Sequence, residues 1–323
     1  MLQITLPSSG PRPLPFYLAM EEYVARQMEE GDYFFLWQVQ PTVIFGRNQL
    51  IANEVNMEYC RAHGIQTYRR KSGGGCVYAD EGNIMLSYIT HDERVNFTFN
   101  RYINLVALVL CRLGIDAKAT GRNDILIDGR KVSGNAFYHL PGRSIVHGTL
   151  LYDTNMQHMV GSITPSDEKL VSKGVESVRQ HIALLKNYLS ITIEELKQHI
   201  INTLCEQEVC LDYTAVRQIE EIEQEYHTDA FIYGRNPSYT TLRHGRIDGV
   251  GEFEVSIELK NNVIKGIDIK GDYFLTGDLG IIEQRLIGQS LTHESLTAAL
   301  PPDLGDIIPN LKRENFIQII LKQ

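Results

Sequence analysis

The chain has 323 residues, 43% of them hydrophobic, and a formal net charge of -9, enough for one large domain and a small one but no basic field for non-specific nucleic-acid binding. Cys60, Cys76, Cys111, Cys205 and Cys210 are scattered, with no C-x-x-C pair, which argues against a disulfide framework or a zinc site and for a reducing cytoplasm. MLQITLPSSGPRPLP lacks the basic and apolar stretches of a signal peptide, and the run Leu105 to Leu110 is too short to cross a bilayer, so a soluble, cytoplasmic protein without membrane partners is expected.

Phe16, Ala19, Met20, Tyr23, Val24 and Met28 recur at helical spacing and Gly31 follows, which predicts an opening amphipathic helix. YFFLWQV and TVIFG read as strands separated by Pro41, and a helix is expected over 53–62, stopped by Gly64. Gln66 to Arg69 then runs as a strand into KSGGG. CVYAD and IMLSYIT follow as strands around a turn at Glu81, Gly82 and Asn83. After the helical RYINLVALVLCRLG come three strand-like runs, DILI, KVSGNAFY and SIVHGTLLYD. TNMQHMV, ITIEELKQHIINTLCEQ and TAVRQIEEIEQEY have helical patterns. Beyond His244, GEFEVSIELKNNVIKGIDIKGDYF reads as two strands around Asn261 and Asn262, followed by the helices DLGIIEQRLIG and THESLTAAL. The expected organisation is a domain over 1–244 and a small α+β domain over 245–323.

Three groups of residues carry candidate chemistry. Gly73, Gly74 and Gly75 follow Arg69, Arg70 and Lys71, so their amides either converge on an anion or belong to a flexible loop with a basic flank. No Gly-Lys-Ser/Thr follows, so this is not a P-loop. Asp128-Gly129 is a strong two-residue hairpin signal that pairs Ile127 with Arg130, Leu126 with Lys131 and Asp124 with Ser133. That register places Asp124, Leu126, Lys131 and Ser133 on one face, away from Ile125, Ile127, Arg130 and Val132. An ordinary cross-strand ion pair fits the spacing as well as a catalytic cation does. His147 and Gly148 in IVHGTLLY are costly in a buried strand, and the histidine reads as a hydrogen-bonded core residue or as one that orients a catalytic group.

RRKSGGGCVYAD, GRNDILIDGRKVSGNA and HGTLLYD, in this order, resemble the signature of the lipoate-protein ligase family, and the likeness extends through KLVSKGVESVR into a C-terminal accessory domain. The resemblance implies an α+β fold: a large mixed-sheet domain of the biotin/lipoate protein ligase type flanked by helices, plus a small α+β C-terminal domain. It implies ATP-dependent formation of lipoyl-AMP with release of pyrophosphate, then transfer to a lysine of a lipoyl domain. Acceptors would be E2 subunits of 2-oxoacid dehydrogenases or the glycine-cleavage H protein. Arg70, Gly75, Cys76, Val77, Tyr78, Asn123 and Asp124 would contact the nucleotide, and Lys131 both the acyl carbonyl and the phosphate. Gly73, Gly74, Gly134, Ala136, His147, Gly148 and Thr149 would line the lipoate site, and Asp124 is the candidate for Mg²⁺. No tightly bound prosthetic group is implied. The sequence departs from the family pattern at Cys76, usually alanine, at Ala79, often histidine, and at Lys71, usually serine or threonine.

Close alternatives are a transferase that uses lipoyl-AMP without making it and a thioester-forming octanoyltransferase or amidotransferase. The thioester route needs a cysteine near the hairpin, and none lies between Cys111 and Cys205. A biotin-ligase Gly-Arg-Gly-Arg loop is absent. A pure binding module would have no need of Arg70, Asp124 and Lys131 together.

Overall fold

The helical spacing around Phe16 and Val24 produces α1 (Leu14–Gln27), whose first turn contains Pro15, where a missing N–H costs nothing. Its carboxyl end is capped from afar: the Arg143 guanidinium donates to the carbonyls of Ala25 (3.1 Å), Met28 (2.9 Å) and Glu29 (2.9 Å). The computed structural model describes residues 1–8, 10–49, 51–91, 94–120, 123–163, 181–232, 241–260 and 263–322. The chain divides into two units: Met1–Ile44, Ala52–Arg70 and Val77–Ile232 form the first, and Phe45–Ile51, Lys71–Cys76 and Tyr233–Gln323 the second.

The strands in chain order are β1 (Leu2–Thr5), β2 (Tyr33–Trp37), β3 (Thr42–Phe45), β4 (Gln66–Arg69), β5 (Val77–Ala79) and β6 (Asn83–Thr90), then β7 (Ala117–Ala119), β8 (Asp124–Ile127), β9 (Arg130–Leu140), β10 (Arg143–Leu151) and β11 (Gln207–Cys210). A mixed eight-stranded sheet has the order β11-β1-β2-β6-β10-β9-β8-β7, and β4-β3-β5 form a small second sheet. β1 runs parallel to both β2 and β11, whereas the pairs from β2 across to β7 are antiparallel.

Among the described residues the other α-helices of the first unit are α2 (Ile51–Glu54), α3 (Met57–Ala62), α4 (Val95–Arg112), α5 (Met156–Ser162), α6 (Ile193–Leu204), α7 (Tyr213–Tyr226) and α8 (Asp229–Ile232). Cross-strand partners share a face, so the register sorts the sheet into two sides. Tyr33, Phe35, Trp37, Met85, Ile89, Tyr138 and Ile145 turn to α1 and join one core cluster with it, backed by α7. Tyr88 and Phe137 turn the other way, Tyr88 stacking on Tyr102 and Phe137 packing at a tilt against Phe99, both of α4. No helix among the described residues is long and apolar enough to cross a membrane.

Several sequence expectations change. The helix expected over 53–62 is broken at Val55, which bridges to Ile163, and restarts because the Asn56 side chain accepts the Tyr59 N–H (3.0 Å). The run 191–207 divides into α6, opened by a Thr192/Glu195 capping box, and the edge strand β11. β1 and β7, each at most four residues long, have no counterpart in the sequence pattern. KLVSKGVESVR and the turn at Asn261 and Asn262 lie outside the described residues.

In the second unit, β12 (Thr241–Ile247), β13 (Gly251–Lys260) and β14 (Val263–Gly271) form an antiparallel sheet. Its Phe253, Val255, Ile257 and Ile269 pack against α9 (Gly280–Leu286), α10 (His293–Ala299) and α11 (Arg313–Leu321). β12 and α11 were not anticipated, and a domain edge at 245 falls inside β12.

Candidate active site

The Asp128-Gly129 turn forms as expected, with φ of 50° and 73°, and pairs Ile127 with Arg130 and Leu126 with Lys131. A bulge then intervenes, so that Ser133 faces Ile125 and Gly134 faces Asp124. This corrects the expected pairing of Asp124 with Ser133. Ser133 lies on the α4 side, fully buried and hydrogen-bonded to the Asn135 side chain (3.1 Å). Asp124 and Lys131 still meet on the α1 side: Nζ lies 2.8 Å from Oδ1, an ion pair without hydrogen-bond alignment. Both side chains are partly exposed, so the pair contributes little to stability.

The bulge gives Lys131 a floor. A Cβ on Gly134 would lie 2.9 Å from both Cε and Nζ of Lys131, so the ammonium stem rests where only glycine leaves room. The backbone beneath is fastened from several sides. Ala183 N–H donates to the Lys131 carbonyl (2.8 Å), Gly134 N–H to Thr149 Oγ1 (3.4 Å), and Asn135 to the Asn123 carbonyl through both N–H and Nδ2 (2.9 Å each). At the turn, Arg130 donates to the Tyr188 hydroxyl, which donates to Asp128 (3.2 Å).

Two rows of residues run across the α1 face away from Lys131. One is Gly134, Thr149, Met85 and Trp37; the other is Ala136, His147, Ser87 and Phe35. From β9 to β2 each row covers three strand spacings, about 14 Å. Such a strip suits an elongated, largely apolar chain with its charged end at Lys131. Gly148 does not line it. Its position on the α4 side is filled by Asn135 Oδ1 and the Tyr102 hydroxyl, 1.9 Å and 2.9 Å from a Cβ built there.

Glu21, absent from the sequence expectations, is fully buried on α1 against this strip. Trp37 Nε1–H donates to Ser87 Oγ (2.9 Å), Ser87 O–H donates to Glu21 Oε1 (2.6 Å), and His147 Nδ1 lies 3.0 Å from both carboxylate oxygens. Because the indole can only donate, the serine hydrogen must point to Glu21, and the carboxylate accepts from His147 in turn. The detectable signal was the Glu21-Glu22 pair inside the otherwise apolar stretch from Leu14 to Ala25. Burial, then Glu21 and Glu22, pushes the Tyr138 hydroxyl well above the ordinary tyrosine range.

A second cluster forms around β3. Ile44 pairs with Val77 and its carbonyl accepts from Arg70 Nη1 (3.0 Å), bringing Arg70 to the Val77–Tyr78 strand. Arg69 donates through Nε to the Ile232 carbonyl (2.8 Å), and burial pulls its pKa down to about 10, still a cation at neutral pH. Burial, followed by the Asp80 carboxylate, raises the Tyr78 hydroxyl. Asp80 itself is committed to structure, accepting from Gly82 N–H (3.0 Å) and Asn155 N–H (2.8 Å).

The glycine tract falls in the second unit. Gly74, at φ 86°, donates its N–H to the Tyr273 carbonyl (3.2 Å), and a Cβ on Gly73 would lie 2.5 Å from that same oxygen. The Gly74 amide is thus engaged by protein in this state, and Gly75 lies beside the Asp272 side chain. Cys76 is half-buried, and all five cysteines are free thiols. Among the described residues no three His, Cys, Asp or Glu side chains cluster as a metal site.

Two family models match the chain: the lipoyl protein ligase A/B catalytic domain over residues 13–205 and the bacterial lipoate protein ligase C-terminus over residues 236–320. The chain is 34% identical over 322 residues to lipoate-protein ligase LplJ of Bacillus subtilis, covering 94% of this chain and 95% of that protein. Its fold is like that of P. falciparum LipL1 in complex with lipoate (TM-score 0.77, 18% identity, 99% and 98% of the two chains covered). It is also like that of lipoate-protein ligase A bound with ATP (TM-score 0.63, 22% identity, 72% and 98% covered). The motifs around Lys131 and the accessory unit beyond them match in one chain, in order and along nearly its full length, so this chain belongs to the lipoate-protein ligase family.

Proposed function

We propose that the chain activates lipoate with ATP and passes the lipoyl group to a lysine of a lipoyl domain. The observation that carries this reading is Lys131, held over Gly134 at the head of an apolar strip, in a chain of this family. A lipoate carboxylate oxygen attacks the α-phosphorus of ATP, the bond to pyrophosphate breaks, and the charge gathering there is offset by the fixed Lys131 ammonium. In the second step the acceptor's neutral ε-amine attacks the acyl carbonyl, an amide forms, AMP leaves, and the amine's proton passes to solvent. Arg70, the 75–78 segment and Asn123 would hold the nucleotide.

Asp124 is the candidate carboxylate for Mg²⁺. One carboxylate suits an ion that phosphate oxygens largely carry, and Asp124 offers a partly exposed side chain whose buried Oδ1 accepts no hydrogen bond. The ion would screen phosphate charge. E2 lipoyl domains and the glycine-cleavage H protein are the proposed acceptors, in lipoate salvage within the cytoplasm.

The test is pyrophosphate release on mixing the protein with ATP, lipoate and Mg²⁺, followed by the mass increase of an added lipoyl domain. Lys131→Ala should lower both by roughly 10²- to 10³-fold. Transfer from supplied lipoyl-AMP without pyrophosphate release would instead identify a transferase.

A further inference from the structure

We propose that the segment 182–188 is a positioning strap for Lys131, and that the Tyr188 hydroxyl is the positioning group that locks this strap to the tip of the β8–β9 hairpin. The inference rests on the function proposed above. In a two-residue hairpin the closing pair, here Ile127 and Arg130, exchanges its main-chain hydrogen bonds across the turn, so the N–H and C=O of Lys131, one residue on, point away from β8. On that other side β10 does not reach Lys131, because its last partner on β9 is Ser133, opposite Leu150. A distant part of the chain takes that place: Ile182 pairs parallel with Lys131, and the Ala183 N–H donates to the Lys131 carbonyl (2.8 Å).

The strap is anchored along its length. Ala183 and Leu185 are buried, the Lys186 N–H donates to the Tyr152 carbonyl (3.0 Å) just past β10, and the Tyr188 N–H closes a turn on the Leu185 carbonyl (2.9 Å). There the Tyr188 hydroxyl accepts from Arg130 and donates to Asp128 Oδ2 (3.2 Å), spanning the two residues that flank Gly129. Asp128 holds φ 50°, a left-handed conformation that a short polar side chain tolerates, and its carboxylate is what the hydroxyl grips. An exposed hairpin tip is otherwise the part of a sheet that opens most readily. With the carbonyl of Lys131 and the tip beside it held by one segment, the ammonium keeps its place over Gly134 while charge gathers at the phosphate. Displacing such a group by about 1 Å costs roughly 100-fold in rate, so the strap acts on chemistry through the lysine it carries.

Tyr188→Phe keeps the ring and removes both bonds. Tyr152→Phe is its match, since that hydroxyl donates to the Ile191 carbonyl (2.8 Å), past the end of the strap, and its loss leaves the strap-to-hairpin bonds in place. In the full-length protein with ATP, lipoate and Mg²⁺, Tyr188→Phe should lower kcat for pyrophosphate release roughly tenfold, with KM for both substrates within about twofold. Tyr152→Phe should lose comparable thermal stability and keep its kcat. Amide hydrogen exchange without substrates gives a second reading: in Tyr188→Phe the Ala183 N–H and the amides of 128–132 should exchange roughly fivefold faster than in wild type. An equal fall in kcat for the two variants, an unchanged kcat in Tyr188→Phe, or unchanged exchange at Ala183 overturns the proposal. If wild type releases no pyrophosphate, the activation step proposed above fails; a kcat for transfer from supplied lipoyl-AMP that falls in Tyr188→Phe alone then leaves the strap's role standing, and an equal kcat in all three proteins ends it.

Discussion

Lys131 and Gly134 occupy one volume: the lysine's Cε and Nζ fill the space that any side chain at 134 would need. The bulge at Val132, the extra residue of β9 opposite the step from Ile125 to Leu126, brings them together, since without it Ser133 would stand on that face instead.

Gly134→Ala should therefore act on chemistry rather than on the fold. A methyl group there displaces the ammonium from the head of the strip, and a shift of that order costs roughly 10- to 100-fold in rate. Pyrophosphate release should fall by this factor with the unfolding midpoint nearly unchanged; an unaffected rate would refute the placement.

Gly148→Ala should do the reverse. Its Cβ would press on Asn135 Oδ1 and the Tyr102 hydroxyl inside the α4 layer, an overpacking that costs about 1–3 kcal/mol. Denaturant unfolding should show the loss, while molecules still folded retain their affinity for lipoate.

Thiol reactivity should be uneven. Burial pushes the Cys205 thiol up to about 11 and also raises Cys60, so both should label slowly, whereas Cys111 and Cys210 are exposed and Cys76 half-exposed. Mild alkylation should slow adenylation, and Cys76→Ala should abolish that sensitivity. Equal inhibition of the variant would assign the effect elsewhere.

In the second unit, burial and then Asp268 hold the Glu283 carboxyl above its usual 4.5, and the Ile269 N–H (3.4 Å) offsets this only in part. The native state therefore keeps this proton to higher pH than the unfolded chain, and the group's contribution to stability falls as pH rises through that interval. Glu283→Gln should flatten the decline of the thermal midpoint as pH rises above the ordinary glutamate value and raise the midpoint at neutral pH. An unchanged slope would count against it.

The long apolar periodicities are legible in the residues themselves: α1, α4, α7 and the β9–β10 hairpin come directly from their spacing. The turn at Asp128-Gly129 likewise announces its own two closing pairs. Beyond the second pair the register is not legible, because the bulge depends on how the stem of Lys131 packs over Gly134 and on Ala183, which joins the strand from fifty residues downstream. Glu21 is hidden for a related reason. A glutamate in an amphipathic helix is assigned to water by default, and its partners Ser87 and His147 arrive from two strands distant in sequence. The segment 71–76 reads as a loop of the first domain until its partner at Tyr273 is known.

The parallel pairing of β1 bears on how the chain is made. One side of Leu2–Thr5 can join β2 once about thirty more residues exist, but the other must wait for Gln207–Cys210, roughly two hundred residues later. Through most of synthesis the sheet therefore carries a bare outer strand, able to recruit an identical strand from a neighbouring nascent chain. Of the strands in this sheet, β1 is the one longest at risk of pairing with a stranger.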